Sequence, residues 1–320
     1  MKKLCVILFL ALSLHPKTVA QDSLVVVFWN MENFFDYTDQ GGGEADKEFS
    51  SGGSRHWTGK RFYAKCDAVA KSFMWMGDRY GRMPDVIGLA EIENKGVLVK
   101  LLKNTLLRKY DYKIIHYDSG DRRGIDVALL YRESVMTPVD ITLKTPWYGG
   151  RELSTRDILH SRMRLADGRN IDFIVNHHPS KYGGEEESRI KRHFAMKTLK
   201  SLVDSLNTMN PGGKIIAMGD FNDTPDSEPF EIISQVLVNK GFPLHEKGLG
   251  TIRYEGKWDL IDMFWVSGSI KSSWTTEILR VPFLMTRERR HPGEKPLRTY
   301  SGPRYLGGVS DHCPIVLKIQ

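Results

Sequence analysis

The sequence predicts an α/β fold in which two mixed β-sheets pack face to face and helices cover the outside. Three observations lead there. Apolar, strand-like runs alternate with segments of helical periodicity, and hairpin spacings mix with strand–helix crossovers. Five of the apolar runs also carry Asn, Asp, Glu or His at one end. These are Trp29-Asn30-Met31-Glu32 after 24–28, Glu91 after 86–89, Asn176-His177 after 171–175, Gly219-Asp220-Phe221-Asn222 after 215–218, and Asp311-His312 before Ile315-Val316-Leu317. Polar groups that recur at strand ends converge on one rim of a sheet, where α/β proteins build their sites.

The first twenty residues stand apart. Lys2 and Lys3 precede an apolar run over 5–14, and Thr18-Val19-Ala20 offers small residues for cleavage. This is a secretory signal pattern whose apolar core is too short to span a bilayer. The bland alternative is an N-terminal core helix. Residues 21–320 contain no repeat or low-complexity linker and read as a single domain. With no second long apolar run, the mature protein is expected to have no transmembrane segment, to be periplasmic or secreted, and to be a monomer. The chain holds 46 basic and 39 acidic residues, a net +7. Removing residues 1–20, which hold Lys2, Lys3 and Lys17 and no acid, leaves 43 against 39, or +4. That mild excess permits a polyanionic partner without demanding one. Cys66 and Cys313 remain, too few for a disulfide framework, and are expected to be unpaired buried thiols.

The elements follow in order. A strand over 24–30 leads into a Gly- and charge-rich loop, 40–54. Helical periodicity over 58–79 places Phe62, Cys66, Val69, Ala70 and Phe73 on one stripe. A strand ends at Glu91 and a short helix covers 96–108. Strands are expected at 112–116, 125–131, 139–143, 158–165 and 171–177. A long helix over 185–206 turns Ile190, Phe194, Leu199, Leu202 and Val203 inward. Its outer face carries Arg189, Lys191, Arg192, Lys197 and Lys200, read as a solvated face before a nucleic-acid surface. After the strand ending at Asp220 come a helix near 226–238 and a strand at 260–267. The long loop 280–309, rich in Arg, Gly, Pro and Tyr, leads directly to Asp311-His312 and is expected to form a wall of the site.

The chemistry lies in the side-chain inventory. Glu32, Glu91, Asp311 and Asp220 supply carboxylates, Asn30 and Asn222 amides, and His177 and His312 imidazoles. An oxygen-rich set suits Mg²⁺, Mn²⁺ or Ca²⁺ better than a structural zinc site. The HExxH, GxxxxGK[ST] and GxSxG patterns are absent. Carboxylates, amides, imidazoles and a hard cation are what attack by water on a phosphate ester requires. Asp262, an acid inside the apolar run 260–264, is suited to orient His312 and favour its charged form.

The order WNxE, LxE, NH-x-P-S, GDFN, LIDxF and SDHCPI resembles the endonuclease/exonuclease/phosphatase superfamily, the DNase-I-like metal-dependent phosphoesterases, over about residues 24–319. The resemblance implies a four-layer α/β sandwich. It assigns Asn30, Glu32, Glu91 and Asp311 to the metal shell, although the usual Gln before the glutamate is Ala90 here. It assigns His177 to the phosphate, Asp220 and Asn222 to water and phosphate, and His312 with Asp262 to the closing histidine and its acid. Whether Asp220 or His312 is the general base stays open. Arg123, Ser180, Arg298 and Tyr300 are candidates to bind substrate. For Arg123 with Asp126 a surface ion pair explains the residues as well, and for Arg298, Tyr300, Arg304 and Tyr305 a loop stabilised by its own aromatics does. His178 reads as a packing residue and Glu93 as a weaker ligand than Glu91. The expected activity is hydrolysis of nucleic-acid phosphodiesters. Inositol phosphates, sphingomyelin or nucleotides are the alternative substrates, and a non-catalytic binding module is the remote one. A lipid substrate would call for exposed aromatic loop tips, for which Trp57 and Trp147-Tyr148 are the candidates.

Overall fold

The computed structural model describes residues 23–41, 43–181, 184–268 and 274–318, so the signal-like segment 1–20 lies outside the described residues. Twelve strands form two six-stranded sheets. The first sheet uses β1 (Val25–Phe34), β2 (Val86–Ile92), β3 (Tyr112–His116), β4 (Asp126–Arg132), β11 (Thr275–Ile278) and β12 (Ile315–Lys318), in the order β11-β12-β1-β2-β4-β3. The second uses β5 (Met136–Lys144), β6 (Ile158–Leu165), β7 (Asn170–His177), β8 (Lys214–Asp220), β9 (Val238–Asn239) and β10 (Asp262–Val266), in the order β9-β10-β8-β7-β6-β5. Each sheet is mixed: β1–β2 and β7–β8 run parallel, and the other neighbours run antiparallel.

Side-chain alternation sorts the apolar residues into three buried layers. Val26 and Phe28 of β1 meet Phe173, Val175, Ile216, Met218 and Phe264 of the second sheet. Val27, Trp29 and Leu89 face the other way, against α1 (Gly59–Tyr80) and α2 (Lys95–Asn104). Ile174, Ala217 and Trp265 pack against Leu199, Val203 and Leu206 of α3 (Glu185–Met209). Helix, sheet, sheet, helix is the four-layer sandwich expected. Gly88 permits the close sheet-to-sheet approach, because a Cβ there would stand 2.8 Å from Met218 Sδ. Cys66 and Cys313 are buried and unpaired, as expected.

Several local expectations are corrected. The helix expected at 96–108 stops at Asn104, because Thr105 takes an extended backbone and its hydroxyl caps a separate 3₁₀ turn at Leu106–Lys109. The helix expected at 226–238 is one turn, Phe230–Ile233. Pro229 disfavours helix in the residue before it, and Val238 and Asn239 are instead taken up by pairing with β10. In α3, Leu199, Leu202 and Val203 are buried as expected, but Ile190 is exposed and Arg192 buried, the reverse of their expected positions. Arg192 turns inward to Asp223 at 3.1 Å and to Ser188 Oγ at 3.2 Å. Trp57 is fully buried and donates from Nε1 to Phe35 O at 2.8 Å, so it is no loop-tip anchor. Trp147 and Tyr148 are exposed. The strand β11 went unread. No described helix is long and apolar enough to cross a membrane.

Candidate active site

The same alternation that builds the inter-sheet core delivers the site. Asn30 continues the Val26–Phe28 face of β1, His177 the Phe173–Val175 face of β7, Asp220 the Ile216–Met218 face of β8, and Asp262 the Phe264–Val266 face of β10. All four stand in the gap between the sheets at one rim. β7 and β8 are aligned so that His177 pairs with Asp220, and β8 and β10 so that Asp220 pairs with Asp262. Gly219 is required there: a Cβ would stand 2.4 Å from Asn176 O.

Glu32 and Glu91 arrive differently. The β1–β2 register slips between Asn30 and Phe34, and the β2–β4 register slips between Ala90 and Ile92. Glu91 is the extra residue of the second bulge. Glu32, Asn33, Glu91 and Asn222 all have left-handed backbones, with φ of 45°, 53°, 61° and 53°. They are four of the six described non-glycine residues with positive φ, a concentration expected where a bulge re-aims side chains into a site.

The polar network is dense. Asp220 accepts from Asn30 Nδ2 through Oδ2 and from the Asn222 backbone N–H through Oδ1, each at 2.9 Å. Its Oδ2 lies 3.7 Å from His177 Nε2 and 3.9 Å from His312 Nε2. His312 Nδ1 stands 2.8 Å from Asp262 Oδ2. Ser310 Oγ donates to Asn30 O at 2.6 Å and accepts from the His312 N–H at 3.0 Å, while Trp29 Nε1 donates to His312 O at 2.9 Å. The motif residues thus hold one another in place. Asn222 Nδ2 donates to His178 O at 2.9 Å. His178 itself is buried edge-on against Phe221, a packing position.

Burial sets the electrostatics. It pushes the Asp220 carboxyl up to about 7, helped by the nearby Asp262 carboxylate. Burial alone would lower the His312 imidazole, but Asp262, with Asp220 and Asp311 behind it, holds it well above the usual histidine range. His177 is held well below that range by burial, with Arg156 and Arg123 adding to the effect. At neutral pH the rim therefore offers a charged imidazole at His312, a neutral one at His177, and a carboxyl poised to exchange a proton at Asp220.

The acids named for the metal lie beside this network. Glu91 Oε1 is 3.9 Å from His177 Nε2. Asp311 Oδ1 is 3.8 Å from His312 Nε2. Arg298 spans Glu32 Oε1 and Asp311 Oδ2, each at 2.9 Å, and Glu32 Oε2 accepts from the Thr299 N–H at 2.8 Å. Burial, with Asp311 close by, pushes Glu32 up to about 7. Carboxylates that crowd one another and already draw in a guanidinium fit a hard divalent cation, and Asn30 adds a neutral oxygen donor. Asp220, Asp262 and His312 also bring one donor atom each within 4.8 Å of the others.

The substrate candidates separate. Arg123 lies 3.6 Å from Glu91 Oε2 and donates to Asn33 Oδ1, so it stands on the rim. Ser180 lines a cavity of about 520 Å³ with Arg151, Thr155, Arg156 and Ser188. Arg298 is at the site. Tyr300 packs among Phe49, Trp57 and Tyr305, its hydroxyl donates to Arg55 O at 2.9 Å, and it lines a small cavity beside Glu32, Asn33 and Arg298. Glu93 points away and accepts from the Asp36 N–H.

Two residues central to the site were missed. Lys65 is fully buried in α1, where its Nζ donates to Glu32 O at 2.7 Å and to Thr299 Oγ1 at 3.1 Å. Burial lowers it to about 8 against the pull of Glu32, Glu91 and Asp311. Its signal was a lysine inside the apolar stripe, three residues after Phe62. Arg156 donates to His177 O and His178 O at 3.2 and 2.6 Å and pairs with Asp121 at 2.9 Å. Nothing in its local sequence marks it.

A family model described as endonuclease/exonuclease/phosphatase family matches residues 25–320. An endonuclease/exonuclease/phosphatase family protein of Bacteroides thetaiotaomicron has a similar fold, with a TM-score of 0.59 at 15% identity over 93% of this chain and 97% of that one. The catalytic domain of human nocturnin, solved with a bound sulfate anion, gives 0.57 at 14% identity over 93% and 94%. A mannosyl-6-phosphatase of Bacteroides thetaiotaomicron gives 0.56 at 15% identity over 93% and 100%. No curated protein matches the chain.

Proposed function

This chain belongs to the endonuclease/exonuclease/phosphatase family and is a hydrolase of phosphoester bonds, and we propose that it cleaves nucleic-acid phosphodiesters outside the cytoplasm with a divalent cation, Mg²⁺ or Mn²⁺. The observation that carries the reading is the Asp262–His312–Asp220 line, with His177 beside Asp220 on the neighbouring strand. Asp220, buried and poised near neutrality, takes the proton of the attacking water. Asn30 and the Asn222 N–H hold its carboxylate in one orientation for that step. His312, kept charged by Asp262, donates from Nε2 to a non-bridging phosphate oxygen as charge builds on it. His177 and Asn222 line the same face. Glu91, Asp311 and Asn30 would hold the cation, with Glu32 anchoring Arg298 beside them. When bound, the cation neutralises phosphate and leaving-oxygen charge.

The nucleic-acid reading draws support from the cations at the rim, Arg123 and Arg298, and from Arg289 and Arg290, exposed near the turn of the hairpin Met285–Arg287/Glu294–Pro296. A second reading, a small phosphorylated molecule such as a nucleotide or sugar phosphate, is favoured by the hydroxyl-lined cavity at Ser180, which has the volume of a small-molecule site. The basic residues of α3 also speak for it, because Arg189, Lys191 and Lys200 are paired to Glu228, Glu187 and Asp204.

The test is product release by the 21–320 protein from plasmid and single-stranded DNA, RNA, bis-p-nitrophenyl phosphate, nucleotides, sugar phosphates and sphingomyelin. Each is run with Mg²⁺, Mn²⁺, Ca²⁺ or EDTA, beside Asp220→Ala. Cation-dependent degradation of nucleic acid, lost in the variant, is the expected result. Turnover of a small phosphate alone would transfer the assignment to the second reading, and turnover retained by Asp220→Ala would overturn the site.

A further inference from the structure

His116 closes β3 and Asp126 opens the neighbouring strand β4, and the loop 117–125 between them carries Asp118. The His116 side chain is 1% exposed. Its Nε2 lies 3.5 Å from Asp126 Oδ2 and has no hydrogen-bond partner. Its Nδ1 lies 3.9 Å from Asp118 Oδ1, a carboxylate open to solvent. One donor atom from each of the three residues falls within 4.8 Å of the other two. The second Asp126 oxygen is occupied, accepting from Ser119 N at 2.9 Å and Ser119 Oγ at 2.5 Å. Those bonds fix the carboxylate with Oδ2 turned to the imidazole.

We propose that His116, Asp118 and Asp126 form a second cation site, for a divalent transition ion such as Zn²⁺ or Mn²⁺, at the base of the 117–125 loop. A buried imidazole nitrogen without a partner is costly in a protein interior, and a Lewis acid satisfies it. Bonds of about 2.0–2.1 Å to a tetrahedral ion hold nitrogen and oxygen donors about 3.3 Å apart, close to the 3.5 Å between His116 Nε2 and Asp126 Oδ2, and the exposed Asp118 side chain is free to turn to the same ion. One imidazole with two carboxylates favours Zn²⁺ or Mn²⁺ over Ca²⁺, which takes oxygen donors in larger number. The Asp118 carboxylate gives the ion its entrance from solvent.

This site is separate from the candidate catalytic centre, because β4 and β3 lie one and two strands beyond β2, which carries Glu91. The loop nevertheless bears on that centre. It carries Asp121, paired with Arg156, and Arg123, 3.6 Å from Glu91. An ion at its base holds Arg123 at the rim, a positioning role.

The test needs no catalytic readout, so it stands whatever the substrate is. The full chain with Glu91→Ala, Asp220→Ala and Asp311→Ala, which also breaks the Asp220–Asp262–His312 cluster, is titrated with Zn²⁺ by calorimetry, and with and without Zn²⁺ its amide exchange is followed. The expected result is one bound ion and slowed exchange confined to 117–125. Adding Asp118→Asn weakens binding at least about tenfold, and adding His116→Gln abolishes both effects. Asp118 is exposed and its change leaves the core intact, so the answer does not depend on His116→Gln folding. A parent that binds no ion, or an ion retained with unchanged affinity by the Asp118→Asn form, overturns the proposal.

Discussion

Asp262→Asn is the substitution that most directly probes the site. Asp262 is buried, and its Oδ2 is 2.8 Å from His312 Nδ1. Asparagine keeps the shape and can accept the Nδ1 hydrogen bond, but it removes the charge. Two unit charges about 4 Å apart at an effective dielectric near 20 interact by about 4 kcal/mol, or about three pKa units. Without that interaction the burial of His312 prevails, and the imidazole becomes neutral near neutrality. Its Nε2 then no longer donates to a phosphate oxygen. The expected loss in kcat is about 10²- to 10⁴-fold, equivalent to about 3–5 kcal/mol in the barrier, with KM little changed. The sign of the pH effect follows from the raised imidazole. Wild-type turnover rises as Asp220 loses its proton at about 7 and declines again as pH rises through the folded pKa of His312, so removing Asp262 moves the alkaline limb to lower pH. Initial rates on bis-p-nitrophenyl phosphate at saturating Mg²⁺, measured across pH beside a thermal melt, provide the assay. A folded variant that loses less than about fivefold, or whose alkaline limb stays in place, refutes the assignment of His312 as the charged donor.

Three further outcomes are expected. Trp57→Ala, which empties a fully buried indole and strips Phe35 O of its donor, should cost about 3–5 kcal/mol in denaturant unfolding, and a loss under 1 kcal/mol would contradict that packing. Arg298→Gln should lower the Mg²⁺ concentration for half-saturation by about three- to tenfold, because Glu32 and Asp311 lose their internal cation, and unchanged or weaker binding in a calorimetric titration would show that the guanidinium does not compete. Glu93 is pushed up to about 8 by burial, with Asp46 and Asp36 contributing. Its stabilising effect is complete below the unfolded value near 4.5 and is lost as pH rises through about 8, so Glu93→Gln should gain on the order of 2–4 kcal/mol over wild type at pH 9 and nothing at pH 4. A stability difference that does not change with pH would exclude ionisation of Glu93 as its cause.

The parts of this site that could be read from sequence are those governed by strand parity. Asn30, His177, Asp220 and Asp262 each extend an alternating apolar run by one step, so the run that predicts the inter-sheet core also predicts where its polar continuation points. The apolar stripe of α1 was equally legible, because Phe62, Cys66, Val69, Ala70 and Phe73 repeat with the helix and are all buried. Lys65 lies on that same stripe, and its role depends on Glu32 and Thr299, which are 33 and 234 residues away. Arg156 is tied in the same way to two backbone carbonyls of another strand. The single turn at Phe230–Ile233 went astray for a related reason: a helical apolar spacing was overridden by pairing of Val238 and Asn239 at a sheet edge.

The bulges carry the deeper reason. Glutamate disfavours the left-handed backbone that Glu32 and Glu91 adopt, and nothing within a few residues of either announces it. The conformation holds because surrounding structure over-determines it. Glu32 is pinned through its carbonyl by Lys65, through its carboxylate by Arg298 and Thr299, and through its N–H by Asn30 Oδ1. Glu91 is pinned by the Asn33 N–H, which donates to its Oε2 at 2.7 Å. Glu91 therefore holds the backbone next to Glu32, and the cost of two unfavourable φ angles is met by contacts that exist only in the assembled sandwich. Local sequence rules fail at Glu32 and Glu91 because the chain bends there to bring acids to a rim that alternation alone would have left to the core.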